Sequence, residues 1–272
     1  MTELGRPTTA HTVTVEGDSL VLDWAGVTDV GRRRAHNEDS YLAESPFFVV
    51  ADGMGGHSAG DVASDAVVRR MLEVATAPVL STEDVEEALR RATADIAVAA
   101  AESELGVGTT ATGAFLSRGD DGYEFVVFNV GDSRVYLLDA AGLRQITVDH
   151  SVVQEMVDAG LLSADEAEGH PDSNVITRAV GFDVDQRPDY WRVPARVGLR
   201  LLVCSDGLTK ELPTVHIAAI LGAVGDTLEA ATALVDAAVD AGGRDNVTAV
   251  VIDVRGTGDD EDPASDGAIS AD

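Results

Sequence analysis

At 272 residues and 28.3 kDa, the chain is long enough for one large domain or two small ones with a real core. Apolar residues at 45% and charged residues at 25% mark a soluble globular protein rather than a disordered one. The 48 acids against 19 bases leave a net charge of −29, which argues against a nucleic-acid or anionic-membrane surface, and 4% aromatics argue against base stacking.

Residues 1–19 are polar and turn-prone, with no apolar run of signal-peptide length, and read as a flexible N-terminal segment. The first strand signal is Phe47–Ala51, followed by a helix over about 58–75. A second helix starts after Ser81, where Asp84 three residues on supplies a capping-box signal. Along it Val85, Leu89, Ala92, Ile96 and Ala99 recur at 4-3-4-3 spacing, one buried stripe. Strand signals return at Ala111–Leu116, Phe125–Val130 and Val135–Leu138, and a short helix fits 151–160. Leu199–Cys204 reads as a strand, 214–222 and 227–241 as helices, and Val247–Val254 as the last strand. Residues 256–272 hold six acids and no base, so −23 of the −29 falls on residues 1–255, and the tail reads as acidic and disordered. One domain over 20–255 remains.

Strands joined by short turns and helices arriving in pairs predict an α+β fold with two mostly antiparallel sheets and helical layers outside them. The one cysteine, Cys204, excludes a disulfide framework and Cys-rich metal sites. No stretch approaches the roughly 20 apolar residues of a membrane helix, and the chain reads as cytoplasmic. The 18 arginines and single lysine, Lys210, say little about chemistry by themselves.

The informative pattern is where aspartates stand. Phe47–Ala51 runs into Asp52-Gly53, Leu201–Ser205 into Asp206-Gly207, and Phe125–Val130 into Gly131-Asp132, while Arg244-Asp245-Asn246 opens the final strand. Singly, each reads as a turn. Four in one domain weaken that reading, because clustered, half-buried carboxylates repel one another unless a cation compensates. Hard oxygen ligands select Mg²⁺ or Mn²⁺. Glu38 and Asp39 follow Arg32, Arg33 and Arg34, and a guanidinium offers a planar fork to phosphate. Carboxylate-held metals with an arginine clamp are the equipment of metal-assisted phosphate-ester hydrolysis.

Seven segments, in order, resemble the bacterial branch of the metal-dependent Ser/Thr protein phosphatases of the PPM, or protein phosphatase 2C, type: Gly31–Asp39, Val50–Gly56, Gly108–Thr112, Asn129–Arg134, Val148–His150, Cys204–Leu208 and Arg244–Thr248. The resemblance spans about 24–254. It implies a four-layer α-β-β-α sandwich whose dinuclear Mn²⁺ or Mg²⁺ site hydrolyses phosphoserine and phosphothreonine on proteins through a metal-bridging water, opposing a Ser/Thr kinase. It implies that Asp52 bridges both ions, that the Gly53 carbonyl holds one, and that Asp206 and Asp245 hold the other. Glu38 would act through a bound water with Asp39 behind it, Arg34 would grip the phosphate, and Thr110 would bond metal-bound water. Asp132 matches the aspartate of a third, weaker metal, and Asn174 falls in the flap of about 152–176 beside it. Partners would be phosphorylated proteins and a kinase, with no nucleic acid and no membrane insertion, and the protein itself a monomer.

One departure stands out. Many relatives place a histidine after the Asp-Gly pair as general acid; here Met54 occupies that position, and His57, three residues on, reads as structural. A cysteine phosphatase would need an arginine where Lys210 stands, so Cys204, at the end of an apolar run, reads as a buried thiol. The non-catalytic alternative is a pseudophosphatase that binds phosphoproteins; Asp52, Asp206 and Asp245 are all present, against it.

Overall fold

The computed structural model describes residues 1–55, 59–100, 106–182 and 187–257. In chain order the elements are β1 (Glu3–Gly5), β2 (Thr8–Val15), β3 (Asp18–Asp29), β4 (Asp39–Glu44), β5 (Phe47–Met54), α1 (Ala59–Val74), α2 (Thr82–Ala100), β6 (Gly108–Thr109) and β7 (Ala111–Gly119). They continue with β8 (Gly122–Val130), β9 (Arg134–Asp139), β10 (Gly142–Gln145), α3 (Val152–Asp158), α4 (Ala164–Glu168), β11 (Asp189–Pro194) and β12 (Arg200–Cys204). The last four are α5 (Asp206–Thr209), α6 (Thr214–Ala223), α7 (Thr227–Ala241) and β13 (Val247–Thr257).

The strands that read as unbroken apolar runs are buried on both faces. In β5, Phe47, Val49 and Ala51 pack under α1 and α2, while Phe48 and Val50 point into the core between the sheets. In β12, Leu201 and Val203 join that inter-sheet core, and Leu202 and Cys204 face α6 and α7. One sheet runs β1-β4-β5-β7-β8-β11, with β6 paired to β5; the other runs β10-β9-β12-β13-β3-β2. All ladders are antiparallel except β1 with β4. The α-β-β-α sandwich is therefore present. Trp24 and Phe48 meet edge-on at 5.5 Å between its sheets.

The second helix begins as its sequence signals indicate: the Ser81 amide and hydroxyl both donate to Asp84 Oδ2, at 2.9 and 3.1 Å. Val85, Leu89, Ala92 and Ile96 are buried, and the fifth position of the stripe, Ala99, is half-buried at the helix end.

Residues 1–19 depart from the expectation of a flexible segment. β1 lies parallel to β4 and β2 antiparallel to β3, with Val13 buried in the inter-sheet core. The segment reads as polar because threonine carries its strand propensity: in Thr12-Val13-Thr14-Val15 the β-branched shape favours a strand while hydroxyls cover the outer face. At the other end β13 runs through Thr257, two residues beyond the expected domain edge; 258–272, most of the expected acidic tail, lie outside the described residues.

Candidate active site

The four strand-mouth acids, joined by Asp39, meet at one edge of the sandwich. Asp39 opens β4 directly opposite Asp52 on β5. Asp206 begins α5 right after β12, and Asp245 precedes β13, the antiparallel neighbour of β12. Asp132 occupies the link from β8, in the first sheet, to β9, in the second.

Two close backbone approaches draw these elements together. A Cβ on Gly53 would lie 2.1 Å from the Gly60 carbonyl oxygen, so only glycine lets the start of α1 close over β5. A Cβ on Gly207 would lie 1.9 Å from the Asn246 carbonyl oxygen, so glycine also lets α5 sit against the loop that carries Asp245.

Hydrogen bonds fix the acids in place. The Thr110 hydroxyl accepts from the Asp52 amide at 2.9 Å, and the Thr110 amide donates to the Asp52 carbonyl at 2.9 Å. The same hydroxyl pairs with Ser133 Oγ at 2.9 Å, tying β5 to the turn of Asp132. Thr248 Oγ1 donates to Asp39 Oδ2 at 2.6 Å from the opposite sheet. Asn246 accepts from the Glu38 amide at 2.8 Å and donates to the carbonyls of Val30 and His36, at 2.9 and 3.0 Å. The arginine-bearing loop is thus laced to the residue beside Asp245. Behind Asp132, His150 Nδ1 accepts from the Gly131 amide at 3.1 Å, which leaves the proton on Nε2 to meet Asp189 Oδ2 at 3.1 Å.

The electrostatics are those of crowded carboxylates. Burial and then Asp39 push the Asp52 carboxyl well above its ordinary range, with Asp206, Asp132 and Asp245 adding to the effect, although Asp52 keeps an edge open to the cleft. Burial lifts Asp39 to about 7 against the opposing bonds from Thr248 and Ser205, and lifts Asp132 to about 8 with help from Asp206. Glu38 is also raised, first by burial; Arg34 and the Gly60 amide at the start of α1 act against the shift.

Among the described residues, two side-chain cations face this charge. Arg34 Nη2 bonds Asp245 Oδ2 at 2.8 Å from the rim, half exposed, and also feels Asp52 and Glu38. Lys210 pairs with Asp206 Oδ2. Among the described residues no three His, Cys, Asp or Glu side chains already stand in ligand geometry, and Asp206 and Asp245 engage Lys210 and Arg34 instead. The donor set nevertheless fits a hard divalent cation. Every candidate ligand is oxygen, the carboxyls drive one another toward protonation, and Asp39 Oδ1 and Asp206 Oδ1 are buried without a hydrogen-bond partner.

The remaining expected residues fall as follows. Asn174 is exposed in the turn over 171–174, part of an excursion closed at its base by the Ser151–Ile176 bridge. Met54 ends β5, half-buried, and His57 lies outside the described residues. Cys204 is buried, its thiol pushed up to about 12 chiefly by burial, as a structural thiol should be. Sequence reasoning assigned no role to Asn246, Thr248, Ser133 or His150. Each lies inside or beside one of the quoted motifs, and that position was the available signal. It also passed over Lys210, whose uniqueness in the chain was a second signal.

An edge-of-sandwich carboxylate cluster rimmed by arginine is the arrangement expected for metal-assisted phosphate-ester hydrolysis. A sequence model of protein phosphatase 2C matches residues 31–238, and the chain belongs to the protein phosphatase 2C family and is an enzyme of the protein phosphatase class. It is 38% identical over 239 residues to the serine/threonine phosphatase stp of Listeria monocytogenes, covering 83% of this chain and 93% of that one. The crystal structure of the Mycobacterium tuberculosis serine/threonine phosphatase PstP superposes with a TM-score of 0.80 at 37% identity, over 87% of this chain and 100% of the other. The catalytic domain of PstP in complex with 2 manganese ions matches with a TM-score of 0.79 at 36% identity, over 87% and 100% of the two chains.

Proposed function

We propose that this protein removes phosphate from phosphoserine and phosphothreonine in proteins at a dinuclear Mn²⁺ or Mg²⁺ centre, opposing a Ser/Thr kinase. The observation that carries this reading is the convergence of Asp52, Asp206 and Asp245 from both sheets, with a buried carboxylate oxygen of Asp206 left without a partner. The relatives named as serine/threonine phosphatases, one of them with two manganese ions, support it.

Asp52, the Gly53 carbonyl, Asp206 and Asp245 would hold the ions, with Glu38 reached through water and Asp39 held behind it by Thr248. When bound, the two ions supply an activated water at neutral pH and charge compensation for the phosphoryl oxygens. Arg34 stands at the rim, where its guanidinium can exchange Asp245 for two phosphate oxygens and orient the ester. Thr110 holds the Asp52 backbone from both sides and so sets the direction of its carboxylate. Met54 carries no proton to give, so no side chain at that position protonates the leaving alkoxide. Among the described residues no helix is long and apolar enough to cross a membrane. We read the protein as a cytoplasmic monomer.

The test is hydrolysis of a phosphothreonine peptide by the purified chain with Mn²⁺ and with chelator. Turnover that requires Mn²⁺ and is lost in Asp52→Asn and Asp206→Asn is expected. Absence of turnover with any divalent ion, while Mn²⁺ still raises the melting temperature, would replace the reading by phosphoprotein binding alone.

A further inference from the structure

The chain contains 18 arginines and one lysine, and that lysine lies in the carboxylate cluster. Lys210 caps the C-terminal end of α5, four residues after Asp206 and on the same helical face. Its ammonium pairs with Asp206 Oδ2, and its side chain is two-thirds removed from solvent. The backbone beneath it is anchored: the Lys210 amide donates to the Asp206 carbonyl at 2.8 Å, and Arg244, itself paired with Glu211 at 2.8 Å, donates to the Lys210 carbonyl at 3.2 Å. The charge also reaches Asp132 and Asp52, and Asp132 is influenced by it in turn.

The resemblance implies Asp132 as the aspartate of a third divalent ion beside the dinuclear pair, and after burial Asp206 is the strongest influence on its carboxyl. Here a monovalent cation already pairs with Asp206, and its charge acts on Asp132. A compact ammonium suits this place, since its three donors can address single oxygens from different carboxylates, whereas a guanidinium presents a planar fork. Only one oxygen of Asp206 is taken. Oδ1 stays buried and unpartnered, so the aspartate can serve the lysine with one oxygen and an ion with the other.

We propose that Lys210 stands in for the third metal ion: it is the built-in cation of the Asp132–Asp206 pair, and it limits this enzyme to two bound divalent ions. The inference rests on the dinuclear reading above. A divalent ion placed between Asp132 and Asp206 would be repelled by the ammonium already paired with Asp206. Lys210 thus acts as a positioning and specificity-determining residue, setting how many ions the site accepts and how activity depends on their concentration.

The experiment counts Mn²⁺ bound per full-length chain, by calorimetry and by the paramagnetic signal of free Mn²⁺, up to millimolar metal. It compares the wild type with Lys210→Gln and Lys210→Asp, each checked for an unchanged circular-dichroism spectrum. Expected are about two ions for the wild type and about three for Lys210→Asp, the third weaker, with Lys210→Gln gaining the same site at higher concentration. Anomalous diffraction from Mn²⁺-soaked wild-type crystals should show two peaks, with Lys210 still on Asp206. Three ions in the wild type would overturn the role of Lys210 while leaving the dinuclear centre intact. Two ions in both folded variants would overturn it as well. No bound Mn²⁺ in the wild type would remove the dinuclear reading itself.

Discussion

Asp39 and Asp52 are directly opposed across the β4–β5 ladder, two carboxylates in a position where like charges destabilise a sheet. Asp39 is fully buried, and its near charge is the largest influence on Asp52 after burial itself. In the metal-free protein a retained proton relieves this opposition, and a bound cation would relieve it as well.

That arrangement has a signature in pH. In protein free of divalent ions, Asp39 and Asp132 carry pKa values raised to about 7 and about 8, above those of the unfolded chain. A carboxyl with a raised folded-state pKa contributes stability at low pH and loses it as pH rises toward the folded value. The melting temperature of chelated protein should therefore fall between about pH 4 and 8 through these groups. The increment restored by saturating Mn²⁺ should grow over the same range, because binding requires the ionised form. At a hundredfold excess over Kd that increment is about 2.7 kcal/mol. Calorimetric scans with and without Mn²⁺ check this, and an increment that shrinks with rising pH would contradict it.

Arg34 is assigned to the substrate phosphate and not to the metals. Arg34→Ala should lower kcat/KM for a phosphothreonine peptide by about 10- to 100-fold, the worth of a charge-assisted hydrogen bond. Mn²⁺ affinity should change little, and Arg34→Lys should recover part of the loss. An unchanged kcat/KM would remove Arg34 from the phosphate site.

Asn246 acts through others. Its three bonds, to the Glu38 amide and the carbonyls of Val30 and His36, hold the acid-bearing loop against the strand that follows Asp245. Asn246→Ala should weaken Mn²⁺ binding by about 10- to 100-fold, as loss of an outer hydrogen-bonding partner does. The mutant should regain most of its kcat at high metal, a pattern that damage to the chemistry itself would not produce.

Phe48 fills the space between the sheets, edge-on to Trp24 at 5.5 Å and to Phe125 at 6.3 Å. Phe48→Ala should cost about 3–5 kcal/mol, read from the urea midpoint at constant slope. A loss below about 1 kcal/mol would mean that the inter-sheet core closes over the gap.

Much of this was legible because both faces of the central strands are buried. Phe47–Ala51 and Leu199–Cys204 announce themselves as apolar runs, and an aspartate at the mouth of such a run is conspicuous. The threonine-rich β2 was not legible, since its strand tendency lies in side-chain shape while its surface is hydroxyl. β11 was hidden for a related reason: in Asp189–Pro194 only Val193 is fully buried, and a proline ends the strand. At the site, the acids could be listed from the chain, but not the side chains that aim them. Thr248 and Asp39 are 209 residues apart, and only the packing of one sheet on the other brings them to 2.6 Å.

The division of the acids between sheets has a mechanical consequence. Asp39 and Asp52 ride on one sheet, whereas Asp206 and Asp245 flank strands of the other. An ion gripped by both parties acts as a rivet through the laminate, resisting any slide of one sheet over its neighbour. Loading the site then stiffens the whole seam: amide exchange in β5 and in β12, distant in the chain, should slow together when metal is added.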